Sequence, residues 1–191
     1  MRIIGLDLSL RGTGVCCLKF DDNSNGNGVN VDLHFITEPD LRDAQRLIAL
    51  RKHLRDIVDV FKPDLAVIEG YAYDGLGRLA EIGEWGGVVK VELEERGVPF
   101  ITVAPKRLKK FVAGNGDASK DQMIEAVDNK YNITTDNDNL ADAIGLAKVG
   151  EIFLTSDSIF RSELEVIRDL KSELRGDKKA HAKYKILRGV L

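Results

Sequence analysis

RIIGLDL (residues 2–8) is a compact apolar run that contains a single acid, Asp7. A run of this kind is typical of a central β-strand that is buried on both faces of a sheet. Two more strands are predicted at 13–20 and 31–37, and the sequence between them, DDNSNGNGVN (21–30), is rich in turn-forming residues. This part of the chain therefore predicts a meander of three antiparallel strands.

Helices and strands alternate along the rest of the chain. Apolar residues that recur at steps of three and four predict an amphipathic helix from Leu47 to Phe61, and LAVIE (65–69) predicts a buried strand that ends in an acid. The chain then predicts a glycine-bearing helix at 76–96 and a strand at 99–103. A loop rich in Lys and Gly is predicted at 104–117, followed by helices at 120–131 and 140–154. Because strands separated by helices usually pair in parallel, the order βββαβαβα predicts an α/β fold with a mixed five-stranded sheet flanked by helices.

Composition and charge are typical of one globular domain followed by a charged extension. The chain has 191 residues, of which 43% are hydrophobic and 31% charged, and its formal net charge is −3. We expect one domain over residues 1–154 and a charged helical C-terminal segment over 155–191. Between Arg175 and Leu191 there are six basic residues and one acid, so this end of the chain is basic although the whole is acidic.

The sequence also predicts the kind of compartment. No window approaches the run of about 18 apolar residues that a membrane-spanning helix needs. Cys16 and Cys17 are adjacent and would point to opposite faces of a strand, so neither a disulfide framework nor a cysteine zinc site is expected. We therefore expect a protein of a reducing compartment, with no membrane as a partner.

Three acids occur where the apolar pattern predicts burial. Asp7 lies in the first strand, Glu69 ends the fourth, and Asp142 lies within the run LADAIGLA. An unpaired buried carboxylate costs several kcal/mol, and carboxylates that converge repel one another unless a cation joins them. Mg²⁺ and Mn²⁺ are hard cations that prefer oxygen ligands. Asp138 lies four residues before Asp142, on the same helical face, and the pattern predicts a divalent-metal site.

Four segments of the chain carry recognisable motifs: GLDLSLRGTGVCCL (5–18), AVIEGYAY (66–73), LKKFVAGNGDASKDQM (108–123) and DNLADAIGLA (138–147). In this order they resemble the RuvC family of Holliday-junction resolvases, within the RNase H-like nuclease superfamily. The resemblance rests on an Asp followed by a small polar residue and Thr-Gly, a strand ending in Glu before aromatic residues, a basic segment with a Val-x-Gly-x-Gly loop, and a closing acidic helix. It covers roughly residues 1–150, and a phage-type member of the family is one candidate.

The resemblance implies an activity and a set of site residues. The implied activity is metal-dependent hydrolysis of phosphodiester bonds in Holliday junctions, in DNA recombination and repair or in the processing of branched phage DNA. Two Mg²⁺ ions, or Mn²⁺ in their place, would lie about 3.5–4 Å apart at the scissile phosphate. The implied catalytic residues, which are also the implied metal ligands, are Asp7, Glu69, Asp138 and Asp142. The implied DNA contacts are Lys109, Lys120, Gly114, Gly116, Tyr71 and Tyr73.

One departure from the family pattern concerns the last helix. Bacterial resolvases of this family present two acids three residues apart on that helix, whereas the residue three before Asp142 is Asn139. Either Asp138 reaches the metal from one position away, or Asn139 binds it through its amide oxygen. We favour Asp138, because an anionic ligand holds a divalent ion more strongly than an amide does.

The implied substrate also predicts a partner and a location. Two symmetric incisions in a four-way junction imply a two-fold homodimer. The helix predicted at 76–96 is either its contact surface or a core helix, through Leu79, Ile82, Trp85, Val89 and Leu93. The resemblance further implies a cytoplasmic protein of a bacterium or of a phage-infected cell.

Other functions remain open from the sequence. The opening GLDLSLRGTG also resembles the first phosphate loop of actin-like ATPases and sugar kinases, but those proteins need two such domains and far more residues. A catalytically silent junction-binding module is a second alternative, which the acids Asp7, Glu69 and Asp142 disfavour. A third is an RNase H-like nuclease that acts on flaps, forks or RNA–DNA hybrids.

Overall fold

The fold is built on one mixed β-sheet, in a computed structural model that describes residues 1–9, 12–20, 29–70 and 79–176. The five strands of this sheet are β1 (Arg2–Asp7), β2 (Thr13–Phe20), β3 (Val29–Ile36), β4 (Leu65–Glu69) and β5 (Phe100–Val103). Their order across the sheet is β3-β2-β1-β4-β5. The first three strands pair antiparallel, and β1, β4 and β5 run parallel to one another. The predicted meander and the predicted fold class are confirmed.

Helices cover both faces of the sheet. The described helices are α1 (Asp43–Phe61), α2 (Leu79–Glu95), α3 (Pro105–Ala113), α4 (Lys120–Tyr131), α5 (Asp138–Thr155) and α6 (Arg161–Gly176). Side chains of β1 and β2 alternate between two cores, so that Ile3 and Cys16 pack with α3 to α6, while Ile4 and Cys17 pack with α1 and α2. The two cysteines therefore point to opposite faces, as predicted, and both are free thiols.

The sequence predicts a loop over 104–117, and this prediction is wrong for most of its length. Pro105 lies in the first turn of α3, where its missing N–H costs no hydrogen bond. Leu108, Phe111 and Val112 follow at helical spacing and are fully buried, so tertiary packing stabilises a helix despite four basic neighbours. The helix that follows, α4, begins as predicted, because Ser119 is its N-cap and forms a capping box with Gln122.

Of the two alternatives for the glycine-bearing helix, the structure supports a core helix for the face that carries Trp85. Trp85, Val89 and Leu93 lie on the buried face of α2, and each is at most 2% exposed. The indole Nε1 of Trp85 donates a 2.8 Å hydrogen bond to Oγ1 of Thr13 in β2. These residues fix α2 to the sheet, so this face of α2 is not available for a contact between two subunits.

Helix α5 packs directly on the backbone of the central strands. A Cβ atom at Gly5 would lie 2.1 Å from the carbonyl oxygen of Ala143, and one at Gly14 would lie 2.1 Å from that of Asn139. Real Cβ atoms do not approach backbone atoms this closely, so only glycine permits the packing. The first half of α5 is thereby held against β1 and β2.

Two features bear on the remaining expectations. None of the helices in the described ranges is long and apolar enough to cross a membrane. Helix α6 is the described part of the predicted C-terminal extension, and the basic residues after Gly176 lie outside the described residues.

Candidate active site

Three carboxylates meet at one edge of the sheet. Asp7 is the last residue of β1 and Glu69 the last residue of β4, and these neighbouring strands are parallel, so both acids lie at the carboxyl edge. Asp142 projects from α5, which the glycines of β1 and β2 hold close to the sheet. One carboxylate oxygen of each residue lies within 4.8 Å of the others. The structure thus brings together three of the four predicted catalytic acids.

Burial and mutual repulsion change the acidity of all three groups. Burial, then the charge of Glu69, raises the pKa of Asp7 well above its ordinary value, and a hydrogen bond joins the two side chains. Burial raises the pKa of Glu69 as well, against the opposing effects of that hydrogen bond and of the cation Lys109. Burial, followed by the charges of Glu69 and Asp138, raises the pKa of Asp142 to about 7. The cluster resists carrying its full negative charge unless a cation compensates for it.

The donor set fits a hard divalent cation. Among the described side chains, Oδ1 of Asp142 is one of the few buried oxygen atoms that have no hydrogen-bond partner. A buried acceptor without a partner is costly in a folded protein, and a bound cation would satisfy it. Carboxylate oxygens are the ligands that Mg²⁺ and Mn²⁺ prefer, so Asp7, Glu69 and Asp142 are suited to hold such an ion.

Asp138 lies beside this cluster and contacts a lysine. It is the first residue of α5, and the ammonium group of Lys120, the first residue of α4, is hydrogen-bonded to its carboxylate. This hydrogen bond is the largest cause of the raised pKa of Lys120, and the charge of Asp138 also raises the pKa of Asp7 and of Asp142. Asp138 is therefore near enough to act on the cluster electrostatically, and its role as a fourth ligand stays a prediction.

Asn139 has a structural contact of its own. Its Nδ2 donates a 2.9 Å hydrogen bond to the carbonyl oxygen of Gly12, just before β2. This bond ties the start of α5 to the sheet.

The structure describes the predicted DNA contacts Lys109, Gly114 and Gly116, but not the two tyrosines. Lys109 of α3 lowers the pKa of both Glu69 and Asp142, so its charge acts on the carboxylate cluster. Gly114 ends α3 with a φ of 77°, and its N–H donates to the carbonyl oxygen of Lys110, so this N–H is not available to a phosphate. Gly116 packs tightly on the backbone of Lys106, where an added Cβ would lie 3.1 Å from the carbonyl oxygen. Tyr71 and Tyr73 lie outside the described residues.

Two contacts at this edge were not foreseen from the sequence. The bond between Lys120 and Asp138 joins the first residues of two helices that are 18 positions apart. The pairing of Arg107 in α3 with Glu173 in α6 spans 66 positions. Neither pair has a local sequence signal, since each depends on how separate helices pack.

The same fold occurs in solved structures of resolvases. The structure described as Thermus thermophilus RuvC has a TM-score of 0.64 and 21% sequence identity, and the match covers 77% of this chain and 91% of that one. Thermus thermophilus RuvC in complex with a Holliday junction substrate has a TM-score of 0.63 and 21% identity, over 77% and 90% of the two chains. The Fowlpox virus resolvase in complex with substrate Holliday junction DNA has a TM-score of 0.51 and 14% identity, over 76% and 95%. The chain therefore has the fold of these resolvase structures, with three carboxylates clustered at the carboxyl edge of its sheet.

Sequence comparison identifies the family within this class. The family model of the crossover junction endodeoxyribonuclease RuvC matches residues 3–149. The RuvC of Synechococcus sp. (strain CC9902) is 31% identical over 153 residues, and that of Parasynechococcus marenigrum (strain WH8102) is 30% identical over the same length. Each match covers 78% of this chain and 97% of the relative. This chain belongs to the RuvC family of crossover junction endodeoxyribonucleases.

Proposed function

We infer that this protein is a Holliday junction resolvase, a nuclease that cuts four-way DNA junctions by hydrolysis of phosphodiester bonds. The observation that carries the inference is the convergence of Asp7, Glu69 and Asp142 at the carboxyl edge of the sheet, in a chain of the RuvC family. Relatives that match over nearly their full length carry this activity in their names.

Asp7, Glu69 and Asp142 are proposed to hold two Mg²⁺ ions, with Mn²⁺ as an alternative. Such ions, when bound, would supply an activated water and charge stabilisation for the leaving 3′ oxygen. The chain contributes a set of carboxylates, with Asp7 buried and the other two half-buried, and the glycines of β1 and β2 allow α5 to pack closely enough for Asp142 to join the set. Asp138 is proposed as the fourth ligand, through the carboxylate oxygen that does not contact Lys120 or after release of that contact.

Lys109 and Lys120 are proposed to bind the DNA backbone beside the scissile phosphate. Both act electrostatically on the carboxylate cluster, so a phosphate that reaches the cluster comes under the influence of both cations. Phosphate contacts of this kind orient the nucleic acid without reading its sequence. Binding should therefore depend on junction shape more than on base identity in the arms.

A homodimer is proposed because paired incisions need two active sites related by a two-fold axis. The exposed groove between α1 and α2 is the proposed contact. It is lined by Leu47, Ile48, Arg51, Gly83, Glu84, Gly87, Val88 and Val91. Ile48 is 69% exposed and Val91 52%, and the two glycines flatten the outer face of α2. An exposed apolar surface of this type is typical of a protein–protein contact.

A cleavage assay with Asp7→Asn tests the catalytic proposal. Wild type should cut a four-way junction only when Mg²⁺ is present, and it should prefer that substrate to a flap, a fork, an RNA–DNA hybrid and a linear duplex. Asp7→Asn should bind the junction in EDTA as wild type does, yet lose at least about a hundredfold in incision rate, or about 2.7 kcal/mol. The exposed Asp136→Asn is the control and should cut normally. Incision by Asp7→Asn at the wild-type rate would contradict the proposal.

Sedimentation of two matched variants tests the dimer. Val91→Glu places a charge in the α1–α2 groove and should shift the protein towards monomer, because the core of an interface excludes unpaired charge. Val60→Glu is the control, since Val60 is 86% exposed and does not line the groove. Equal sedimentation of the two variants would mean that another surface forms the dimer.

A further inference from the structure

A cavity of about 110 Å³ lies between the beginnings of α1 and α2. Leu47, Leu50 and Trp85 supply the apolar part of its lining, and charged side chains of both helices supply most of the remainder. One water molecule takes about 30 Å³ in the liquid, so the cavity can admit a group the size of a phosphate.

This cavity adjoins the carboxylate cluster. Ser9 lines it and is two residues beyond Asp7, so the Cα atoms of these residues are at most about 7 Å apart. Strand β3 ends at Ile36, which pairs with Thr13 at the start of β2, next to the end of β1. Helix α1 follows β3 and therefore begins at the active-site edge of the sheet. Each strand of DNA carries one phosphate per about 3.4 Å of helix axis, so a strand with its scissile phosphate at the cluster has another phosphate within reach of the cavity.

Arg46 brings an unsatisfied cation to the cavity. Its Nε is one of the few buried nitrogen or oxygen atoms among the described side chains that have no hydrogen-bond partner. Its guanidinium forms no ion pair with another described residue, although acids line the same cavity. A buried donor without an acceptor is costly, and an oxygen atom of a ligand would satisfy it. Because a guanidinium binds phosphate through a planar fork of N–H donors, a phosphate oxygen is the matching acceptor.

Arg42 adds a second guanidinium to the lining. Its Nη1 donates hydrogen bonds to the carbonyl oxygens of Pro39 and Leu41, which fix the side chain at the start of α1. These bonds occupy one of the three nitrogen atoms of the group, so Nε and Nη2 can donate to a ligand. The two arginines are one helical turn apart, since the N–H of Arg46 donates to the carbonyl oxygen of Arg42. Together they present two cations to one cavity.

Three acids also line the cavity, and all three are exposed: Asp43, Glu81 and Glu84. Charges in contact with solvent interact weakly, so these carboxylates reduce the attraction for an anion without abolishing it. The cavity should therefore bind a free small anion poorly. A phosphate within a DNA strand is different, because contacts at the carboxylate cluster hold that strand nearby and raise its effective concentration.

We propose that Arg46, assisted by Arg42, binds a second phosphate of the cleaved DNA strand, within about two nucleotides of the scissile phosphate. The inference rests on the proposed junction-resolving function and deepens it, because two anchored phosphates fix the direction in which the strand crosses the site. Arg46 binds DNA and takes no part in the chemical step.

A four-way junction in which neutral methylphosphonates replace single phosphates tests the proposal. The cut site is first mapped with wild type and Mg²⁺, and dissociation constants are then measured in EDTA with the full-length chain. Wild type should bind about tenfold more weakly when one particular phosphate near the cut site is neutral. Arg46→Gln should bind the unmodified junction about tenfold more weakly, and the slope of the logarithm of its binding constant against that of the salt concentration should be shallower by about 0.9. It should lose no further affinity at that phosphate, because the partner is already gone.

Three other variants separate this role from a general effect of charge. Lys52→Gln removes a cation from the same helix, at a position that is 73% exposed and outside the cavity, and it should leave the methylphosphonate pattern unchanged. Arg46→Lys keeps the charge but not the fork, so it should retain the salt slope and lose part of the affinity. Glu81→Gln removes an acid from the cavity and should strengthen binding.

Two results would overturn the proposal. One is a salt slope of Arg46→Gln equal to that of wild type. The other is an Arg46→Gln variant that still loses affinity at the same neutral phosphate as wild type does. A wild type that binds the junction but does not cut it with Mg²⁺ would instead refute the proposed function, and the salt slopes of the variants would still decide whether Arg46 contacts a phosphate.

Discussion

Replacing Asp142 by Asn should stabilise the metal-free protein above neutral pH. Burial, together with the charges of Glu69 and Asp138, raises the pKa of Asp142 to about 7 from the ordinary value of 3.8. The folded state therefore holds this proton more tightly than the unfolded chain does. Between about pH 4 and pH 7 the unfolded state is ionised first, so the free energy of unfolding falls as the pH rises, and it stays low above that window.

The size of the effect follows from the same pKa. A carboxyl group with a pKa of about 7 instead of 3.8 lowers the free energy of unfolding at pH 8 by at most about 4 kcal/mol. Asn removes the charge, but its amide enters a site where Oδ1 has no partner, at a cost of about 1–3 kcal/mol. We therefore expect Asp142→Asn to be more stable than wild type by about 1–3 kcal/mol in EDTA at pH 8. The free energy of unfolding of Asp142→Asn should still depend on pH, but less than that of wild type, because the pKa values of Asp7 and Glu69 are raised too.

Mg²⁺ should make wild type more stable than Asp142→Asn. An ion that binds only the folded state stabilises it by about 2.7 kcal/mol at a hundredfold excess over its Kd, and Asp142→Asn should lose most of that gain. Urea unfolding, followed by fluorescence of Trp85, the single tryptophan, measures both effects between pH 5 and 8.5. Asp136→Asn is the control and should behave as wild type. A less stable Asp142→Asn in EDTA at pH 8, or a wild type indifferent to Mg²⁺, would refute the reasoning.

Three further predictions concern the same edge of the sheet. Asp138→Asn should severely reduce Mg²⁺-supported cleavage. Asn139→Ala should lower the free energy of unfolding by about 1 kcal/mol, because it loses the hydrogen bond to Gly12, and should cut almost normally. The reverse result would make Asn139 the ligand. Lys109→Ala should weaken junction binding equally for all arm sequences. The slope of the logarithm of the binding constant against the logarithm of the salt concentration should become shallower by about 0.9, and an unchanged slope would mean that Lys109 contacts no phosphate. Gly5→Ala should lower the free energy of unfolding by about 1–3 kcal/mol and reduce cleavage, and a fully active, equally stable variant would contradict the close packing of α5.

The sheet and most of the carboxylate cluster were predictable from local patterns. Asp7 and Glu69 end short apolar runs, and Asp142 interrupts a run of small apolar residues, so each is an acid in a sequence that otherwise specifies burial. Parallel pairing of β1 and β4 then brings the first two acids to one edge without any further information. These features depend on the nearest few residues, which a sequence displays directly.

The prediction that was wrong and the alternatives that the sequence left open both depended on long-range packing. Four basic residues and two glycines made 104–117 resemble a loop, although Leu108, Phe111 and Val112 have the spacing of a buried helical face. The apolar stripe of α2 through Trp85 fits a core as well as an interface, and its partner Thr13 is 72 positions away. Only the assembled fold decides between such alternatives.

The absence of side chains at Gly5 and Gly14 has a consequence for how diverged relatives are interpreted. Helix α5 touches the backbone of β1 and β2 at these two positions, at residues that directly adjoin or lie close to Asp142 in the helix. A homologue that keeps every acid but carries a larger residue at either position should have its acids too far apart for catalysis. Such a chain would look intact in a motif search and yet be a pseudoenzyme. The diagnostic positions for lost activity therefore include two residues that have no functional group.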